Sequence, residues 1–176
     1  MNRRSRWRVL ASMLVGLALL LASVTLGAQP VLVWNATASA PVGFYRVRFV
    51  ANQPLRIGEL VLIRPDAASA RLYAERGYLP LGVPLLKRVV AVAGQSVCER
   101  DGVLSIDGRH VADVLATDGR GRPLVAWSGC RPLRDDELFV LMVDVPASLD
   151  GRYFGPTPIR SVVGRATPLL ILDAPR

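Results

Sequence analysis

Histidine is almost missing from this 176-residue chain: His110 stands alone, and only two cysteines, Cys98 and Cys130, accompany it. A Ser-His-Asp triad or a metalloprotease helix with paired histidines would have to lean on that one residue. His110 follows Ile106-Asp107-Gly108-Arg109 and reads as an exposed histidine beside a hairpin turn. Two cysteines and one histidine fall short of a structural zinc site, so neither a metal nor another cofactor is expected. A hydrolase built from this chain would need another base. Also missing are an RNA-binding motif, a helix-turn-helix pattern, internal repeats and low-complexity linkers. The net charge of +8 is no substitute, because Arg3, Arg4, Arg6 and Arg8 supply half of it ahead of an apolar run. Without a basic patch interleaved with aromatics, no nucleic-acid partner is expected.

Charge is absent from Val9 to Ala28, 20 residues dominated by Leu, Val and Ala. That length suits a transmembrane helix. A cleavable signal peptide is the rival, but its apolar core should be about 7–15 residues and end in a small-x-small site. Here Leu26-Gly27-Ala28 places a leucine at the first small position. Four arginines precede the segment and the next charge is Arg46, so residues 1–8 are expected to stay in the cytoplasm. Residues 29–176 then form one domain on the outer side, large enough to bury its own core. In an oxidising compartment a Cys98–Cys130 disulfide is the default, with a pair of buried free thiols as the alternative.

Within that domain, Phe44–Val50 alternates, with Arg46 and Arg48 on one face and Tyr45, Val47 and Phe49 on the other. Glu59–Arg64 is a second strand candidate. Pro65–Arg76 is a helix candidate, with Asp66 as cap and Gly77 at its end. Leu85–Ala93 reads as a buried strand carrying a lysine. Asp101-Gly102, Asp107-Gly108 and Asp118-Gly119 are hairpin signals, marking a β-rich insertion over about residues 95–135. Leu138–Val143, Val162–Ala166 and Leu169–Leu172 complete a mainly β fold.

Asn35-Ala36-Thr37-Ala38-Ser39-Ala40-Pro41-Val42-Gly43-Phe44-Tyr45 is an uncharged stretch between the apolar run and the first alternating strand. Taken alone it is a plain loop. Ser39 in it becomes a candidate nucleophile once Lys87 is considered as its base. A serine hydroxyl needs a neighbouring base, and a lysine serves only when neutral. An ordinary, solvent-exposed lysine is only about 0.4% neutral near pH 8, so burial must lower its pKa. Leu85, Leu86, Val89 and Val90 around Lys87 supply an apolar setting. The competing reading is a surface lysine guarding an edge strand.

Three boxes decide between these readings. Asn-x-Thr-x-Ser-x-Pro-x-Gly-x-Tyr at 35–45, Lys-Arg-Val-Val-x-x-x-Gly at 87–94 and Ser-x-Asp-x-Arg-Tyr-Phe-Gly at 148–155 resemble, in order and spacing, those of bacterial type I signal peptidases. The first and third are more similar to the conjugative-transfer branch, which processes pilin precursors. The resemblance implies a signal-peptidase-like β-rich domain behind one membrane helix. It also implies a single-pass protein of the bacterial inner membrane with its catalytic domain in the periplasm. By the same resemblance Ser39 attacks the scissile carbonyl and Lys87 is general base, then acid to the leaving amine. The Ser39 backbone N–H and the Thr37 hydroxyl would hold the oxyanion. Ser148 and Asp150 would orient the lysine, and Arg152 would pair structurally with Asp150.

Departures are informative. General leader peptidases carry a Gly-Asp-Asn-Arg run where this chain has Val143-Asp144-Val145-Pro146, Gly151 replaces the serine of Asp-Ser-Arg, and Ala40 stands at a position often held by methionine. The resemblance further implies an extended peptide substrate added as a strand, with shallow apolar pockets selecting small residues before the cut. Expected partners are a preprotein or pilin precursor, the lipid bilayer and components of a conjugative or secretion machinery. A general leader peptidase is one alternative. Others are a non-catalytic membrane-anchored scaffold and a self-cleaving repressor relative, the last disfavoured by the anchor.

Overall fold

The computed structural model describes residues 3–25, 32–49 and 54–173, and the chain divides into two units, Met1–Pro30 and Val31–Arg176. The first contains the helix α1 (Arg3–Thr25). Among the described residues no helix is long and apolar enough to cross a membrane. The span expected over Val9–Ala28 is therefore not met there, and Leu26, Gly27 and Ala28 lie outside the described residues.

The second unit is mainly β. Its elements run β1 (Leu32–Asn35), β2 (Val42–Arg48), β3 (Leu60–Ile63), α2 (Ala67–Glu75), β4 (Leu85–Ala91), β5 (Ser96–Arg100), β6 (Val103–Ile106), β7 (Arg109–Asp113), β8 (Gly129–Pro132), β9 (Glu137–Leu141), α3 (Gly151–Phe154), β10 (Thr157–Pro158) and β11 (Val162–Asp173). A seven-stranded sheet has the order β1-β2-β11-β3-β4-β9-β10, and a four-stranded sheet the order β7-β6-β5-β8. Tyr45, Val47, Leu62, Leu86 and Met142 pack in the cluster beneath the larger sheet. Each such side chain contributes about 1.5–3 kcal/mol through burial.

Local sequence explains most element limits. Along β2, Gly43, Tyr45 and Val47 are buried while Phe44, Arg46 and Arg48 are exposed. The strand stops at Arg48, so Phe49 leaves the apolar face and is exposed. Asp66 caps α2, accepting from the backbone N–H of Ala68 and Ser69. The chain turns away at Gly77, whose φ of 69° suits glycine. β4 ends at Ala91 because Val92–Gln95 closes a turn, Gln95 N donating to Val92 O at 3.2 Å.

In the smaller sheet two of the three Asp-Gly signals are hairpins. Asp101-Gly102 (φ 52° and 79°) joins β5 to β6, and Asp107-Gly108 (φ 49° and 76°) joins β6 to β7. Positive φ at both residues is what a two-residue hairpin turn demands. Asp118-Gly119 is not one: its carboxylate accepts from Arg120 N and Arg122 N, both at 2.9 Å. This local side-chain turn competes with strand pairing, leaving an isolated bridge between Thr117 and Pro123. A disulfide joins Cys98 and Cys130, which face each other on β5 and β8. Closing a loop of that size contributes about 3–4 kcal/mol in the chain-entropy picture. The two last strands expected at Val162–Ala166 and Leu169–Leu172 are one strand, β11, in which a register shift between Pro168 and Leu170 absorbs the proline.

Candidate active site

The larger sheet places three segments around one cleft. Ser39 lies in the turn from β1 to β2, a connection that periodicity alone did not mark because β1 is only four residues long. Asn35 pairs with Gly43 as the strands part, and a Cβ on Gly43 would run into the Leu170 backbone on β11. Tyr45 fastens the turn from below, its hydroxyl donating to Pro41 O at 2.6 Å. Ala40 is fully buried, which suits an apolar residue at this position. Next to it Ser39 Oγ is 3.1 Å from Thr37 Oγ1.

Lys87 is the third residue of β4 and pairs with Val61 of β3. It is only 1% exposed, and its Nζ donates to Ser148 Oγ at 2.7 Å. Burial brings its pKa down to about 8, against the opposing charge of Asp150 and with help from Arg152. Near pH 8 roughly half of this amine is neutral, about a hundredfold more than in an ordinary lysine. The surface-lysine reading is thereby excluded. Among the described residues no hydrogen bond joins Ser39 to Lys87.

Ser148 and Asp150 come from the segment between β9 and α3, and Arg152 from α3 itself. Asp150 caps α3 and accepts from Arg152 Nε and Nη2, each at 2.8 Å, and from Met142 N at 3.0 Å. The Nη2 of Arg152 also donates to Val145 O at 2.8 Å. The ion pair is almost completely buried. It holds the short Val143–Pro146 turn, which Val145 N to Met142 O and Ser148 N to Val145 O close at 3.0 Å each. Thus Arg152 fixes the loop that presents Ser148 to Lys87. Gly151 has a local cause: a Cβ there would stand 2.6 Å from Phe139 Cε1 and 2.8 Å from Val140 O.

Thr37, Ser39, Lys87 and Ser148 line a cleft of about 260 Å³, walled by Leu85 and Leu115. A neighbouring cavity of about 220 Å³, lined by no charged residue, shares Thr37, Ser39 and Leu85 and reaches Val83 and Pro84. Serine and amine therefore open on common ground, with apolar surface on either side. Sequence reasoning missed the wall formed by Leu115–Leu124. There Asp118 accepts from Tyr78 Oη and from Arg122 Nε, while Arg122 stacks over the Tyr78 ring at 4.8 Å. The aspartate beside a glycine was its only sequence signal. His110 stands on β7, exposed, with Nε2 2.8 Å from Asp113 Oδ1, and does not line the cleft. Among the described residues no group of His, Cys, Asp and Glu could hold a metal ion.

Fold and cleft together define a mainly β domain in which a half-buried serine shares its pocket with a buried amine. The chain belongs to the family described as Signal peptidase, peptidase S26, whose model matches residues 4–170. It is 38% identical over 145 residues to a probable conjugal transfer protein TraF of Sinorhizobium fredii, covering 77% of this chain and 75% of the relative. It is also 38% identical over 146 residues to the conjugal transfer protein TraF of Agrobacterium tumefaciens, covering 77% and 80%. A signal peptidase I from Enterococcus faecalis superposes with a TM-score of 0.40 at 22% identity, over 66% of this chain and all of that one. The recognisable branch is the conjugal-transfer one.

Proposed function

We propose that this protein is a membrane-anchored serine endopeptidase that removes signal or propeptides from exported proteins, its substrate a pilin precursor of a conjugative transfer system. The observation that supports this most directly is the buried Lys87 amine, tied to Ser148 and opening on the same cleft as Ser39. Neutral Lys87 takes the Ser39 proton as Oγ attacks the scissile carbonyl. The oxyanion rests on the Ser39 backbone N–H, with the Thr37 hydroxyl as further support. The resulting ammonium protonates the leaving amine, and the acyl ester is hydrolysed by a water deprotonated by Lys87. Ser148 and Asp150 keep the amine oriented.

The apolar cavity beside Ser39 suits an extended peptide with small side chains before the cut. The uncharged run Val9–Ala28 is the proposed anchor, its arginine-rich end cytoplasmic and the catalytic domain periplasmic at the inner membrane. The relatives named for conjugal transfer favour pilin over general preproteins as substrate, and transfer-machinery components as partners.

The test is cleavage of a membrane-bound pilin precursor by the full-length protein beside Ser39→Ala and Lys87→Ala, with a general secretory preprotein as second substrate. Loss of at least about 10⁴-fold in both variants, with cleavage confined to pilin, is expected. Cleavage of both substrates reassigns the protein as a general leader peptidase. No cleavage by the wild type leaves a non-catalytic scaffold, and activity retained in either variant overturns the Ser39/Lys87 assignment.

A further inference from the structure

We propose that Asn35 is a positioning residue for the nucleophile, its amide setting the direction of a hydroxyl chain from Ser39 through Thr37. The inference rests on the Ser39/Lys87 reading above and adds a residue to it.

Asn35 closes β1 and is buried, facing the turn that it helps to shape. Its Nδ2 lies 2.9 Å from Thr37 O, 3.0 Å from Ala40 O and 3.1 Å from Pro41 O. Carbonyl oxygens only accept, so the atom among three of them is the amide's NH₂ end. This fixes the flip that an amide in a plainer setting leaves open. Oδ1 is then the acceptor, with Thr37 N at 3.4 Å and Thr37 Oγ1 at 3.0 Å.

A hydroxyl has one proton. Thr37 spends it on Asn35 Oδ1, so at its 3.1 Å contact with Ser39 it can only accept. Ser39 therefore donates to Thr37 in the resting protein, while the Lys87 amine is engaged with Ser148. Two things follow. First, activation consists of turning the Ser39 proton from Thr37 to Lys87 while Oγ stays in place. The Asn35 tethers to residues 37, 40 and 41 bracket Ser39 on both sides and hold its backbone through that exchange. Second, the Thr37 hydroxyl reaches an oxyanion only by releasing Asn35, which makes the amide a control on that contact as well. Misplacing a nucleophile by about 1 Å costs on the order of 100-fold in rate, and the Asn35 tethers are what prevent it here.

The experiment measures kcat and KM for the membrane-bound pilin precursor with full-length wild type, Asn35→Ala, Thr37→Val, Thr37→Ser and the Asn35→Ala/Thr37→Val double variant. Ser39→Ala and Lys87→Ala run alongside, with melting curves for all. Asn35→Ala and Thr37→Val are each expected to lower kcat by about 10- to 100-fold with KM within about twofold. Thr37→Ser should recover most of the Thr37→Val loss, and the double variant should be no slower than the slower single one, because the two residues form one chain. Wild-type kcat in Asn35→Ala, or multiplying losses in the double variant, overturns the proposal. If Asn35→Ala fails to fold, Thr37→Val decides, since it keeps all three backbone tethers; an unchanged kcat there overturns the proposal too. Inactive Ser39→Ala and Lys87→Ala beside an unaffected Asn35→Ala would sink this inference alone. Cleavage persisting in Ser39→Ala removes the parent reading and this one with it.

Discussion

Lys87 and Arg152 are each 1% exposed and each acted on by the charge of Asp150, yet the domain treats the two cations in opposite ways. Around Arg152, burial works against the charge, but the hydrogen bonds and charge of Asp150 outweigh it and push the pKa up. Around Lys87 burial prevails and the pKa falls to about 8, because its amine donates to a neutral hydroxyl and not to a carboxylate. Depth alone does not decide whether a buried base keeps its proton; the acceptors that meet it do. One pocket is built to retain a charge and its neighbour to surrender one.

The comparison breaks most severely if the two pockets are made alike. In Lys87→Arg a guanidinium that does not deprotonate replaces the tunable amine, and a pH–rate profile should stay at background, at least about 10⁴-fold down. Wild-type kcat/KM should rise about tenfold per pH unit below about 8 and level off above it. A profile without that inflection would separate Lys87 from the chemistry.

A smaller effect comes from stripping Arg152 of its partner. Asp150→Ala leaves a buried cation unpaired and should cost about 3–5 kcal/mol in urea unfolding. Replacing Arg152 by Met in the same chain should return part of it. Smaller still, and opposite in sign, is Lys87→Met. The folded pKa of Lys87 lies below its unfolded value of 10.5, so the unfolded state binds the extra proton between about pH 8 and 10.5. Wild-type stability therefore rises through that window. Lys87→Met should be more stable by up to about 3 kcal/mol below pH 8, with the advantage shrinking towards pH 10.5. Unfolding free energies at pH 6.5 and 10 measure it.

What the sequence made legible was local. Alternation marked β2, the cap marked α2, and paired Asp-Gly turns marked the hairpins of the smaller sheet, since each depends on a few adjacent residues. β1 escaped because four residues hold too little pattern, and β11 was split because Pro168 looked like an end rather than a shifted register. At the site, Ser39, Lys87, Ser148, Asp150 and Arg152 stood out through spacing against a family, not through propensity. Asn35 and the Leu115–Leu124 wall stayed dark: their meaning lies in which carbonyls or rings they meet across the fold. The span read over Val9–Ala28 rests on composition alone, and no described helix is long and apolar enough to cross a membrane.

Gly151 is closed to substitution from two directions at once. Phe139, fully buried, occupies the space that any Cβ at 151 would need. Shrinking residue 139 to admit the serine of Asp-Ser-Arg would cost about 3–5 kcal/mol and would still leave the Val140 carbonyl oxygen 2.8 Å from the new Cβ. Serine first meets a clash; the smaller residue first leaves a hole. No substitution at 139 alone makes room for a side chain at 151, and the glycine is held there by backbone as well as by its aromatic neighbour.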